Sequence, residues 1–309
     1  MFDINRIKGP FATMVTPFKE GNIVDEEALT KEVDALCNTG ITGVFPLATT
    51  GEFPFLSIEE KRRCLEITAR VNNGRKAMIA GACGVNYSES MEIIKIAAEL
   101  GYDACIACSP YYYTQSADEL VKYYTALCAN PYGMKILMYN IPAFTSEVPM
   151  SVVAEMIKNP NCVGIKDSSG NMRRMRQAAH LKDEAGRHDF IVYCGSDDII
   201  LPALVAGCEG SLSAMSVCMP ELVSEMYKAY AEGRLSDAQE YQDSFIELGM
   251  LADGMPFPAG YKYLTELRGL KHKFIHQFVD EKKAEDTKKK QSEILDKLLI
   301  KYNLRREIF

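Results

Sequence analysis

The chain predicts an α/β fold, a (β/α)8 TIM barrel followed by a C-terminal helical extension. Three observations carry this. Eight short apolar runs punctuate the first 220 residues, helix-length amphipathic stretches separate them, and after Pro220 the runs stop while the helical pattern continues. Strands alternating with helices of roughly 10–15 residues make parallel βαβ units, and eight of these can close a barrel; an open doubly wound sheet is the structural competitor.

The apolar runs fall at 11–15, 43–47, 77–80, 104–107, 136–139, 162–165, 191–194 and 211–214. Unbroken apolar runs of this length suit strands buried on both faces. Helices are predicted between them at 25–39, 57–72, 88–100, 117–129, 149–158, 171–183 and 197–207. In Ser57-Ile58-Glu59-Glu60 the serine can cap and the glutamates favour the positive end of the helix dipole. The tail predicts helices at 221–231, 235–251, 258–267 and 282–302, with no Gly/Ser-rich linker before it. Residues 1–220 are therefore read as a catalytic barrel and 221–309 as a helical extension packed on it.

The chain has 309 residues, is 47% hydrophobic and carries a net charge of -7. That balance argues against a nucleic-acid partner and for a small molecule. Residues 1–10 hold no apolar signal core, and no apolar run approaches the ~20 residues of a membrane helix, so a soluble, cytoplasmic protein without a membrane partner is expected. Ten cysteines lie between Cys37 and Cys218, mostly inside apolar segments, which suits buried reduced thiols. Cys105 and Cys108 have redox spacing but sit in a strand-like run, where i and i+3 point to opposite faces. His272 and His276 could share a helix face, yet no third ligand accompanies them and no metal site is expected. Nothing in the sequence calls for a cofactor.

In a parallel barrel the chemistry gathers at the C-terminal strand ends, where the connecting loops converge. After the second run stands Ala48-Thr49-Thr50-Gly51-Glu52; after the fourth, Ser109-Pro110-Tyr111-Tyr112-Tyr113; after the fifth, Tyr139-Asn140-Ile141-Pro142; after the sixth, Lys166-Asp167-Ser168-Ser169-Gly170; after the seventh, Gly195-Ser196-Asp197-Asp198. This set suits Schiff-base chemistry. Desolvation favours the neutral amine of a lysine, which can attack a ketone; a tyrosine can relay protons, and threonine hydroxyls with the N–H groups of a glycine-bearing turn can hold a carboxylate. Each phrase alone has an ordinary structural explanation, and it is their joint placement at one mouth that points to catalysis.

The phrases "GPFATMVTPF", "TTGE", "SPYYY", "YNIP", "GIKDSSG" and "GSDD" follow one another in an order and spacing that resembles the N-acetylneuraminate lyase and dihydrodipicolinate synthase superfamily of class I pyruvate-dependent aldolases. The resemblance implies that Lys166 forms the Schiff base and that Tyr139 transfers protons beneath it. It implies that Thr49 and Thr50 bind the pyruvate carboxylate and that Thr49 links Tyr139 to Tyr112, donated across a subunit interface in a homo-oligomer, usually a tetramer. Gly51 would belong to the carboxylate-binding turn, and Gly195 would line the far end of the substrate. Dihydrodipicolinate synthases resemble "YNVPxRTG" after the fifth strand, with an arginine for the carboxylate of the semialdehyde. This chain has "YNIPAFTS" with Phe144 there, and a phenylalanine offers no donor or charge. Ser168, Asp197 and Asp198 stand where sugar hydroxyls could be bound, and Asp167 is expected beside them; Asp197 and Asp198 also suit a helix first turn. The expected reaction is reversible cleavage of a 2-oxo-3-deoxy sugar acid or N-acetylneuraminate to pyruvate and an aldehyde. The alternatives are dihydrodipicolinate synthase, a related dehydratase, or a non-catalytic 2-oxo-acid sensor.

Overall fold

A computed structural model describes residues 2–272 and 278–309 of the chain. Eight strands, β1 Gly9–Thr13, β2 Gly43–Phe45, β3 Ala77–Gly81, β4 Ala104–Cys108, β5 Ile136–Asn140, β6 Cys162–Asp167, β7 Ile191–Cys194 and β8 Gly210–Ser213, form a closed barrel in sequence order. Every neighbouring pair is parallel, and β1 closes on β8 with Phe11 beside Leu212. Nearly every strand residue is buried, because side chains on one face fill the barrel and those on the other meet the surrounding helices; this is why the runs are unbroken rather than alternating.

Between the strands lie helices α1 Glu26–Cys37, α2 Ile58–Asn72, α3 Tyr87–Glu99, α4 Ala117–Cys128, α5 Met150–Met156, α6 Met172–Glu184 and α7 Ile200–Val205. After β8 come α8 Met215–Cys218, α9 Pro220–Ala231, α10 Leu235–Asp253, α11 Ala259–Leu267 and α12 Glu281–Tyr302. The serine expected to start α2 forms a full capping box, with Glu60 N–H donating to the Ser57 hydroxyl and Ser57 N–H donating to the Glu60 carboxylate. Such a cap is worth about 1 kcal/mol.

Two elements differ from the sequence expectation. The single helix expected over 197–207 is a 3-10 turn, Asp197–Ile199, followed by α7, because Ile199 adopts a non-helical φ of -128 between them. The short α8 was hidden in the sequence: its four residues are all buried and show no helical periodicity.

The helices after β8 pack on the barrel and on one another. In α11, residues Ala259 to Thr265 are all buried, and a Cβ at Gly260 would come within 2.3 Å of the Ala252 carbonyl of α10. Glycine therefore lets α11 lie directly on the α10 backbone. This contact brings Tyr261 and Lys262 to the barrel mouth. All ten cysteines are free and buried, as core packing requires, and Cys108 donates its backbone N–H to Cys83 Sγ at 3.3 Å. Among the described residues no helix is long and apolar enough to cross a membrane.

Candidate active site

The register of β5 on β6 sets Tyr139 beside Lys166, and the two side chains are 2% and 4% exposed. The lysine nitrogen lies 4.4 Å from the centroid of the Tyr139 ring and 5.3 Å from that of Phe45. No carboxylate among the described residues stands within 4.0 Å of it. A buried amine with ring faces around it and no counter-ion is an unusual thing to retain in a core, and it marks a candidate nucleophile.

The loop after β2 supplies the hydroxyls. Thr49 to Gly51 form one 3-10 turn, and the Thr49 hydroxyl lies 3.1 Å from the Tyr139 phenol. The Thr50 hydroxyl donates to Thr13 at the end of β1 across 3.3 Å. Thr13, Thr49, Thr50, Tyr139 and Lys166 share one cavity of about 350 Å³ at the mouth. Gly51 does not reach it. Its N–H is used by the Ala48 carbonyl and its own carbonyl accepts from the Thr16 hydroxyl at 2.6 Å, so it braces the turn from behind.

Opposite the threonines, Gly195 lies against the lysine. A Cβ there would sit 2.7 Å from Lys166 Cε and 2.0 Å from Ser168 Oγ, so the residue is glycine because of what it faces, not because of its φ. Ser168 lines the cavity, and its hydroxyl is buried without a partner among the described residues, so it is available to a ligand. Asp167, expected beside it, is turned away: its carboxylate accepts from Asn140, Ser169 and Arg174. Strand alternation explains this, since Lys166 faces the barrel interior and its neighbour must face the helices.

Asp197 and Asp198 both line the cavity. Asp197 caps a helix, though not its own. It accepts the Met215 N–H at the start of α8 at 3.1 Å and the Tyr261 hydroxyl at 3.1 Å. Burial pushes its carboxyl up to about 6. Tyr261 also reaches Asp253 on α10 at 2.8 Å, and desolvation raises that carboxyl too. Tyr261, Asp253, Phe257 and Met250 complete the wall and were missed in the sequence. The one local signal, for Tyr261 alone, was the Tyr261-Lys262 pair among the small and apolar residues that open α11.

Tyr112 stands apart. It is 89% exposed on the loop after β4, with a φ of 82 in the left-handed region, and within one chain it does not meet Thr49 or Tyr139. Its neighbour Tyr111 instead lines a second, apolar cavity of about 320 Å³ that shares Thr49 and Tyr139 with the first. Of the two histidines weighed as metal ligands, His272 is buried with Nε2 3.1 Å from the Lys262 carbonyl, and His276 lies outside the described residues. No group of three or more His, Cys, Asp or Glu side chains is placed to hold a metal ion among the described residues.

The Dihydrodipicolinate synthetase family model matches residues 6–298. The chain belongs to this family. It is 32% identical over 285 residues to a 4-hydroxy-tetrahydrodipicolinate synthase of Methanosphaerula palustris, covering 91% of this chain and 96% of the relative. To that of Acidiphilium cryptum it is 34% identical over 270 residues, covering 86% and 90%. A prophage protein of the dihydrodipicolinic acid synthase family from E. coli K12, solved in complex with pyruvate, superposes with a TM-score of 0.87 at 25% identity, covering 94% of this chain and 99% of that one. The sialic acid aldolase of Ruminococcus gnavus shares the fold, with a TM-score of 0.85 at 21% identity over 96% and 99% of the two chains. Family membership makes the protein a lyase-type enzyme of the Schiff-base, pyruvate-dependent class.

Proposed function

We propose that this enzyme reversibly cleaves a 2-oxo-3-deoxy sugar acid or N-acetylneuraminate to pyruvate and an aldehyde, with Lys166 as the Schiff-base lysine. The single observation that carries the chemistry is the contiguous set Thr49, Tyr139 and Lys166 in one cavity. The neutral Lys166 amine attacks the C2 ketone, and loss of water gives an iminium. The electrons of the C3–C4 bond then flow into the iminium while the C4 hydroxyl gives its proton toward Tyr139, releasing the aldehyde. Protonation of the enamine at C3 and addition of water return pyruvate and the free lysine. Thr49 fixes the phenol and, with Thr50, takes the substrate carboxylate. Ser168 and the Asp197 wall receive the hydroxyls of the departing half.

The substrate class follows from what lines that half. Lys166 is the only lysine or arginine among the described lining residues, and its nitrogen is bonded to C2 of the bound 2-oxo acid, while Asp197, Asp198 and Asp253 disfavour a second anion at the far end. Phe144 occupies the rim where a carboxylate-binding arginine would be needed. The second reading, condensation of pyruvate with aspartate semialdehyde, is favoured by the names of the relatives and disfavoured by this wall.

We further propose a homo-oligomer, built as a tetramer, in the cytoplasm, in which Tyr112 of a second copy enters the apolar cavity beside Thr49 and completes the proton relay. Its exposure and left-handed backbone support this. The deciding experiment incubates the protein with pyruvate and borohydride and maps the adduct by mass spectrometry, with Lys166→Ala as control. Turnover of 2-oxo-3-deoxygluconate, N-acetylneuraminate and aspartate semialdehyde is followed alongside. A parent protein without an adduct at Lys166 removes the mechanism; turnover of the semialdehyde alone removes the substrate assignment.

A further inference from the structure

Lys262 of α11 is wholly buried. Its nitrogen donates to Glu52 Oε1 at 2.5 Å and to the Thr16 carbonyl at 2.9 Å, and lies 4.4 Å from the centroid of the Phe18 ring. Glu32, a second buried carboxylate, adds to the field it feels. Neither Lys262 nor Glu52 touches the cavity that holds Lys166. Replacing a buried ion pair by apolar residues is often neutral for stability, so the pair asks for another explanation.

That explanation lies in what the pair holds. Glu52 ends the turn that carries Thr49 and Thr50, and donates its N–H to the Thr49 carbonyl at 3.0 Å. It is a non-glycine residue at a φ of 56, and Leu47 on the other side of the turn is at 57. Backbone in this region persists only where the surroundings impose it. Thr16, the other acceptor of Lys262, donates its hydroxyl to the Gly51 carbonyl. One ammonium therefore grips the threonine turn twice, at Glu52 directly and at Gly51 through Thr16.

We propose that Lys262 is a positioning residue for the 2-oxo-acid carboxylate: through Glu52 and Thr16 it holds the Thr49 and Thr50 hydroxyls at the height at which they meet a substrate bound to Lys166. The inference rests on the reading of Lys166, Thr49 and Thr50 given above. It assigns to the C-terminal helices a part in substrate binding, made through a residue that touches no substrate.

The test is the double variant Glu52→Gln, Lys262→Met, which removes both ends of the tie; Glu32, whose carboxyl burial raises well above the ordinary range, keeps its bond from the Val15 N–H. The readouts are the thermal midpoint and the pyruvate concentration that half-saturates borohydride trapping at Lys166. The expected result is a folded protein whose half-saturating pyruvate concentration rises about tenfold, with the trapping rate at saturation reduced far less. A folded double variant that traps at unchanged pyruvate concentration overturns the inference alone, as does one that loses trapping rate at saturation with no change in half-saturation. A parent that forms no adduct overturns the reading of Lys166 and this inference with it. Should the double variant not fold, Thr16→Val carries the test: it removes only the hydroxyl that holds Gly51. A rise of about threefold is expected, and no rise overturns the inference.

Discussion

The Tyr261 hydroxyl lies 3.1 Å from Asp197 and 2.8 Å from Asp253, so one phenolic proton faces two carboxylates. A phenol donates to one acceptor at a time, and the second contact becomes a hydrogen bond only when a carboxyl brings a proton of its own. Burial pushes the Asp197 carboxyl up to about 6. The bond from Tyr261 lowers the Asp197 value against that burial, so Tyr261→Phe moves its titration to higher pH. Under the proposed reaction it also raises KM for the 2-oxo-3-deoxy sugar acid about tenfold, read from steady-state kinetics, while the pyruvate concentration for borohydride trapping stays near that of the parent.

Thr49→Val removes the 3.1 Å contact that orients the Tyr139 phenol and keeps the volume of the side chain. Proton transfer at the C4 oxygen suffers more than binding, so kcat falls about 100-fold. Rapid-quench measurement of aldehyde release in a single turnover checks that the chemical step is the one slowed.

Gly195→Ala places a methyl group 2.7 Å from Lys166 Cε and 2.0 Å from Ser168 Oγ. The lysine must swing from its seat over Tyr139, and a displacement of about 1 Å costs roughly 100-fold in rate. Circular dichroism unchanged from the parent, beside a loss of borohydride adduct per unit time, is the expected pair of results.

His272 is held neutral by burial, its pKa lowered to about 3 from an ordinary 6.5. Below pH 6.5 the unfolded chain binds a proton that the folded chain refuses. Its contribution to stability is therefore complete above pH 6.5 and is lost as pH falls toward 3, by about 1.4 kcal/mol per pH unit at most. Urea titrations of the parent and His272→Gln across pH 4 to 7 should show a flatter dependence in the variant.

The barrel was legible because its determinants are local. Runs such as 104–107 and 162–165 are apolar throughout, as parallel strands buried on both faces must be. Lys166, Tyr139, Thr49 and Thr50 were legible because strand ends of a barrel meet at one mouth, so sequence position alone brings them together. Ser168, Gly195, Asp197 and Asp198 follow the same logic and do line the cavity. Family motif order added roles that local pattern could not.

What the sequence alone determined is the eight-fold alternation of strand and helix and the strand-end inventory of Lys166, Tyr139, Thr49 and Thr50, since both depend on periodicity and chain order. Only the tertiary structure decided that Gly51 braces from behind and that Tyr112 stands clear of its own chain's site. It also decided that Tyr261 and Lys262, adjacent on α11, reach Asp197 and Glu52 respectively. The physical reason is distance along the chain. Asp197 and Tyr261 are 64 residues apart, Glu52 and Lys262 are 210, and no periodicity spans such separations. Those contacts exist because α11 lies on α10 through Gly260, a packing that the pattern of either helix alone does not express.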